Sequence, residues 1–422
     1  MLLEIAIAKR APCQALGIHI SFAPCKAVYS VRSILLWQKN VKFQNFYQPS
    51  FIQEQRSTHL TMGSKRKRSN QDAPTVDAPA KKQQKSNPKP VTKGPAILLE
   101  PSPFLDQPNR KSAEFKREVE TYRLLADEDE AQRLNAANAV VLGLLGGDGV
   151  ELSTLQRHFE RRLFRGLASG AKAARLGFSI AITEILRELF GERNLAETKY
   201  KGMTFEKVLA ILVEKTKPDG DLSGQEEKDH ALGLLFGLQS FVKANVLFSD
   251  EERWFVILEK LFELSKRKPW LREECGAVIV KAIAQMSQSQ AESTFEKLFE
   301  SGLAMSPEGV GIWLTARIRF PNMKFPTKPW GLTGNPLDRL QSLGKALRES
   351  DTKDQGSIQQ AKQTGNWNPH LHFVWDIILG QFSEALKQKD KKGTKSNFEN
   401  FWKVSVDGKR IYVIHIALTN IC

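Results

Sequence analysis

Cysteine is scarce. Only Cys13, Cys25, Cys275 and Cys422 occur in 422 residues, with no CxxC spacing and no clustering. That spacing supports neither a disulfide framework nor a zinc site and makes a reducing compartment the default expectation. No apolar run reaches the roughly 20 residues needed to cross a bilayer. Alternating apolar runs bounded by Asn-Gly or Asp-Gly turns, the signature of strands, are nearly absent before the last residues. Neither a G-x-x-x-x-G-K-[ST] phosphate loop nor a G-x-S-x-G nucleophile elbow occurs. Negative charge is also short: 47 Asp and Glu face 62 Lys and Arg, a formal net charge of +15. Such a balance points to an acidic partner, whether nucleic acid, acidic protein or anionic surface.

Apolar residues make up 41% of the chain and aromatic residues 9%, enough for a real core. The two ends stand apart from it. Residues 1–61 are acid-poor with scattered Lys and Arg; they read either as a mitochondrial transit-like segment or as a non-native extension ahead of Met62. Residues 62–100 form a basic segment rich in Pro, Gln, Asn and Ser, and their composition predicts disorder. Within it Lys65, Arg66, Lys67 and Arg68 are consecutive and fit a nuclear localisation signal, with Lys81 and Lys82 as a second cluster. A solubilising tail is the blander alternative. At the other end, residues 404–422 close on the β-prone "KRIYVIHIALTNIC", an atypical, truncated tail with no sheet upstream to receive it.

Between these ends the periodicity is helical. "FKREVETYRLLADEDEAQRLNAANAVVLGLLGG" places Val119, Tyr122 and Leu125, then Val140, Val141 and Leu144, at spacings of three and four until Gly146-Gly147. Helices then pair: 152–190 broken near Ser169-Gly170; "TFEKVLAILVEKTK" with "HALGLLFGLQSFVKANVLF" across the polar "PDGDLSGQEEKD"; "EERWFVILEKLFELSKRK" with "PWLREECGAVIVKAIAQMS"; and "QAESTFEKLFESGLAMS" with "PEGVGIWLTARIRF". Pro269 and Pro307 suit first helical turns. Four two-helix units of similar length predict an all-α fold, an α-solenoid of HEAT or armadillo kind over 105–320. A compact helical bundle is the alternative, since no residue-level repeat is visible. Residues 321–366 read as a loop-rich insertion, and 367–403 resume the repeats with Asn368 as N-cap and Pro369 at the first helical position. "KQKDKKGTK" reads as an exposed loop within that stretch.

One stretch concentrates charge. "RRLFRGLASGAKAARLGFSIAITEIL", Arg161 to Leu186, turns at Gly166 to Gly170, so Arg161, Arg162 and Arg165 end one helix while Lys172 and Arg175 begin the next. Cations suit a helix C-terminus, but at an N-terminus each costs about 0.3–1 kcal/mol. Lys172 and Arg175 therefore predict either an external anion, making all five residues nucleic-acid contacts, or a neighbouring carboxylate such as Glu151 or Glu160. Leu176, Ile180, Ile182, Ile185, Leu186 and Leu189 supply an apolar face, and Ala173, Ala174 and Gly177 allow close helix approach. A tightly packed layer explains most of this stretch.

Candidate catalytic groups are weaker. Asp219 and Asp221 resemble a two-metal carboxylate pair, yet they sit in a Gly-flanked loop without a strand beneath. His370 and His372 on a helix would point about 200° apart and could not share a metal unaided. Trp254, Trp270, Trp313, Trp367 and Trp375 fall at apolar helix positions or turn edges, which suits core packing better than base stacking. No catalytic residue, metal site, cofactor, membrane contact or small-molecule substrate is expected.

The Arg161–Leu186 stretch, "NWNPHLHFVWDIIL" and "FENFWKV" together resemble the family containing Myb-binding protein 1A and DNA polymerase phi, the fungal fifth DNA polymerase. The likeness runs from about Leu105 to Lys403. It implies a nucleolar helical-repeat protein supporting ribosomal-DNA transcription and ribosome assembly, with ribosomal DNA, precursor rRNA and assembly or transcription factors as partners. Family members are far longer and carry an acidic stretch and a basic tail that this chain does not reach. The polymerase label is read as a name; a DNA-directed polymerase and a purely protein-binding regulator are the alternatives.

Overall fold

The computed structural model describes residues 102–106, 109–220, 223–347, 372–387 and 391–405. The segments 1–61 and 62–100, the cluster Lys65, Arg66, Lys67 and Arg68, and the residues beyond 405 lie outside the described residues.

Short polar side chains open most helices, because the first backbone N–H groups of a helix have no partner within it. Ser112 caps α1 (Ala113–Leu124), and Asp129 caps α2 (Glu130–Leu145). The expected continuous run is therefore two helices, parted where Asp129 takes over the amides of Ala131 and Gln132. Val119, placed on the apolar face from its spacing, is 41% exposed, whereas Tyr122 and Leu125 are buried. The next hairpin comprises α3 (Leu152–His158), a π-helical turn (Phe159–Leu163), α4 (Phe164–Leu167) and, after the turn, α5 (Lys172–Phe190). Phe159, Leu163 and Phe164 are all fully buried. The wider turn absorbs the extra residue in the five-residue step from Phe159 to Phe164, whose amide donates to the Phe159 carbonyl.

Thr204 caps α6 (Phe205–Lys215), and Ser223 with Glu226 forms a capping box on α7 (Gly224–Ala244). That box converts the second half of the expected polar loop, from Gly224 onward, into helix. Asp250 caps α8 (Glu251–Arg267); Pro269 opens a 3-10 turn (Pro269–Leu271) leading into α9 (Arg272–Ile283). Ser287 and Gln290 box the start of α10 (Gln288–Glu300), and Ser306 caps α11 (Pro307–Arg319) with Pro307 in its first turn. Beyond α11, turns and a 3-10 segment (Pro336–Asp338) lead to α12 (340–347). This stretch is not merely surface: Trp330 is fully buried, and Phe325 lies against the rings of Phe295 and Trp313.

The last described helices are α13 (Phe373–Lys387) and α14 (Lys391–Ser405). Residues 391–395 of the Lys-rich stretch thus begin a helix where a loop was expected. Asn368 and Pro369 fall outside the described residues; His372 does the capping, its Nδ1 accepting from the Val374 amide at 3.2 Å. All the regular structure among the described residues is helical, with no strand. The helices α2, α5, α7, α9, α11 and α13 pack in that order, each against the next. Trp254 and Trp313 fill this core, their indole N–H groups donating to Thr294 Oγ1 at 2.9 Å and to the Gly334 carbonyl at 2.7 Å.

Contact between α5 and the end of α1 leaves no room for a side chain at Gly177, where a Cβ would meet the Leu125 carbonyl oxygen at 1.9 Å. Gly177→Ala should lower unfolding free energy in urea by about 2 kcal/mol or more. Gly224→Ala, where nothing lies near, should not. Equal stability of the two variants would refute the tight contact.

Candidate nucleic-acid interface

The chain turns at Ala168–Ala171, with Ser169 Oγ accepting from the Ala171 amide at 3.2 Å. The five cations predicted to gather at this tip divide into two sets. Arg161, on the π-helical turn, Arg165, on α4, and Lys172, opening α5, are exposed. Arg162 and Arg175 turn inward, and their charges are met within the fold.

Arg175 is only 7% exposed. Its Nη1 donates to the Ser169 carbonyl and to Asp229 Oδ1, the latter at 3.3 Å, so the cation ties the turn to α7. Gln225 Nε2 donates to the same Asp229 oxygen at 3.3 Å. Close approach makes this geometry possible: a Cβ on Gly233 of α7 would stand 2.9 Å from the Ala168 amide nitrogen. The carboxylate answering the N-terminal cation comes from α7, not from Glu151 or Glu160. Glu160 accepts instead from Gln156 Nε2 at 2.6 Å, and Glu151 makes no side-chain cap bond.

Arg162 Nε donates to Glu118 Oε1 at 3.1 Å, and its guanidinium lies 5.8 Å from the Tyr122 ring centre. Glu118 is 1% exposed and also pairs with Arg157 at 3.4 Å. Arg157 Nη2 lies 3.0 Å from His158 Nε2, and Tyr122 Oη lies 2.7 Å from His158 Nδ1. A guanidinium only donates, so Nε2 accepts and the Nδ1–H donates to the Tyr122 oxygen. Burial, then Arg157 and Arg162, lowers the His158 pKa to about 3, and burial pushes the Tyr122 phenol well above its usual value. This cluster pins α1 to the π-helical turn and so sets the outward direction of Arg161. Its members Glu118, Arg157 and His158 escaped the sequence reading, which placed Tyr122 only by its apolar spacing. The available signal was Glu118 itself, a carboxylate four residues before Tyr122 on the face that packs.

Asp219 is exposed in the loop between α6 and α7, while Asp221 lies outside the described residues. His370 is likewise outside, and His372 precedes α13 with Nε2 3.5 Å from Glu308 Oε1. No group of three or more His, Cys, Asp or Glu could hold a metal ion among the described residues. Trp254 and Trp313 are fully buried, Trp375 is half-buried, Trp270 is 45% exposed, and Trp367 is outside the described residues.

Residues 158–411 match the family described as DNA polymerase phi. The rDNA transcriptional regulator pol5 of Schizosaccharomyces pombe is 31% identical over 305 residues, covering 69% of this chain and 29% of that protein. The rDNA transcriptional regulator POL5 of Saccharomyces cerevisiae is 28% identical over 327 residues, covering 67% of this chain and 32% of its own length. The chain thus spans about a third of the length of these curated relatives. No solved structure matches it.

Asp229→Ala would strand a buried guanidinium and should cost about 3 kcal/mol or more in urea unfolding. A loss below about 1 kcal/mol would mean that Arg175 reaches solvent. His158 sets an acid limit. Its folded pKa of about 3 lies below the ordinary 6.5, so between these values the unfolded chain binds more protons and stability falls as pH drops. The penalty at pH 5 is about 2 kcal/mol. Comparing urea midpoints at pH 7 and pH 5, His158→Gln should flatten the decline; an unchanged slope would refute the buried neutral imidazole.

Proposed function

The chain belongs to the DNA polymerase phi family, and from that premise we propose that it is a nuclear, nucleolar scaffold supporting ribosomal-DNA transcription and ribosome biogenesis. It acts by binding nucleic acid, either ribosomal DNA or precursor rRNA, together with assembly or transcription factors, and it is not an enzyme. The two relatives, both named rDNA transcriptional regulators, support the transcriptional part. The run Lys65–Arg68 supports nuclear import. The scaffold is an α-solenoid of HEAT or armadillo kind. Its support is the chain-order packing of α5, α7, α9, α11 and α13, four of which are second members of successive hairpins.

The observation that carries nucleic-acid binding is the split at the hairpin tip. Arg162 and Arg175 satisfy Glu118 and Asp229, while Arg161, Arg165 and Lys172 are exposed around the same turn. Cations gathered at one tip neutralise phosphates, and counterion release makes such binding steep in salt.

Replacing Arg161, Arg165 and Lys172 with Glu should weaken binding to a fluorescein-labelled ribosomal-DNA duplex about tenfold or more in anisotropy titrations. The log–log salt slope should fall by as much as about 2.7, at 0.9 per phosphate. Circular dichroism should be unchanged. Salt-insensitive binding by the wild-type chain would favour a protein-binding adaptor, and extension of a primed template would overturn the non-enzymatic reading.

A further inference from the structure

The second helices of successive hairpins run parallel. Arg175 near the start of α5 meets Asp229 near the start of α7, and Arg187 Nη2 near the end of α5 approaches the Lys243 carbonyl near the end of α7 at 3.4 Å. In the same way Lys268, at the entry to α9, pairs with Glu227 in the first turn of α7, and Gly276 in the first half of α9 lies against Glu308 in the first turn of α11. Parallel stacking brings the last turns of neighbouring helices side by side, and each last turn is basic: Arg187 on α5, Lys243 on α7, Lys281 on α9.

A cation in a last turn is ordinarily explained by its own helix dipole. That accounts for Arg187, which also pairs with Glu184 at 2.5 Å. It does not account for Lys243 and Lys281 together. Both are exposed, neither has a carboxylate partner among the described residues, and the two repel each other. Although solvent reaches both side chains, protein surrounds them closely. Desolvation, then the Lys281 charge, lowers the Lys243 ammonium to about 8, and desolvation lowers Lys281 as well. Two exposed ammonium groups in the last turns of adjacent parallel helices, with no carboxylate partner among the described residues, form a receptive site for an anion that spans both helices.

We propose that Lys243 and Lys281, flanked by Arg187, form a second nucleic-acid contact that grips the phosphodiester backbone across the C-terminal ends of α7 and α9. This deepens the nucleic-acid-binding reading and rests on it, but the place is different. From Lys172 at the hairpin tip to Arg187 is about 22 Å along α5 at 1.5 Å per residue. A nucleic acid touching both sites therefore runs along α5 and crosses onto the ends of α7 and α9.

The test uses the full chain and the same labelled duplex. Lys243→Ala with Lys281→Ala should lower affinity about tenfold at low salt and reduce the log–log salt slope by about 1.8. Lys243→Arg with Lys281→Arg should retain both. On the wild-type chain, mass spectrometry should show the duplex slowing acetylation of Lys243 and Lys281, a readout that needs no variant to fold. Unchanged affinity, slope and acetylation, with the hairpin-tip variant still impaired, would overturn this site and leave the broader reading standing. Absence of any duplex binding by the wild-type chain would overturn both.

Discussion

A buried charge must find its counter-charge, and this chain meets that demand across helices that are distant in sequence. Arg175 reaches Asp229, 54 positions away, and Arg162 reaches Glu118, 44 positions away. In the low dielectric of the core neither Arg175 nor Glu118, both buried, could remain charged alone at tolerable cost. The two pairs therefore hold one hairpin against α7 on one side and α1 on the other. The turn at Ala168–Ala171, the π-helical turn and the outward direction of Arg161 follow from that anchoring.

Charge is divided by the same logic. The segment from Arg161 to Arg175 carries five cations of similar chemistry, yet two serve cohesion and three are exposed. His158 stays neutral between a phenol and a guanidinium, since burial first, then the charges of Arg157 and Arg162, disfavour its protonation. At the far end of α5 the balance reverses. Lys243 and Lys281 are exposed and have no carboxylate partner among the described residues, which is the ground for proposing an external anion there.

Local chemistry was largely legible. Pro307 and Pro269 at helix starts and the apolar spacing of Ile182, Ile185, Leu186 and Leu189 announce helices because fixed φ and a 3.6-residue period act within a few residues. Reading failed where a neighbour decided. Gly224 to Asp229 looked like a polar loop, but a capping box and the pull of Arg175 on Asp229 make it the first turns of α7. His372 caps α13 in place of the expected Asn368. Val119 sits at an apolar spacing yet faces out, since α1 turns Glu118 and Tyr122 inward to Arg157, Arg162 and His158.

Helix type, hairpin order and net positive charge were set by the chain itself, because each depends on near neighbours or on composition. Which cations are answered within the fold and which face solvent was settled only by tertiary structure. Glu118 and Asp229 lie far along the chain from the arginines they neutralise, and α7 and α9, distant in sequence, are aligned at their starts by the Lys268–Glu227 pair. Charge is a property of composition; its pairing is a property of distance in space.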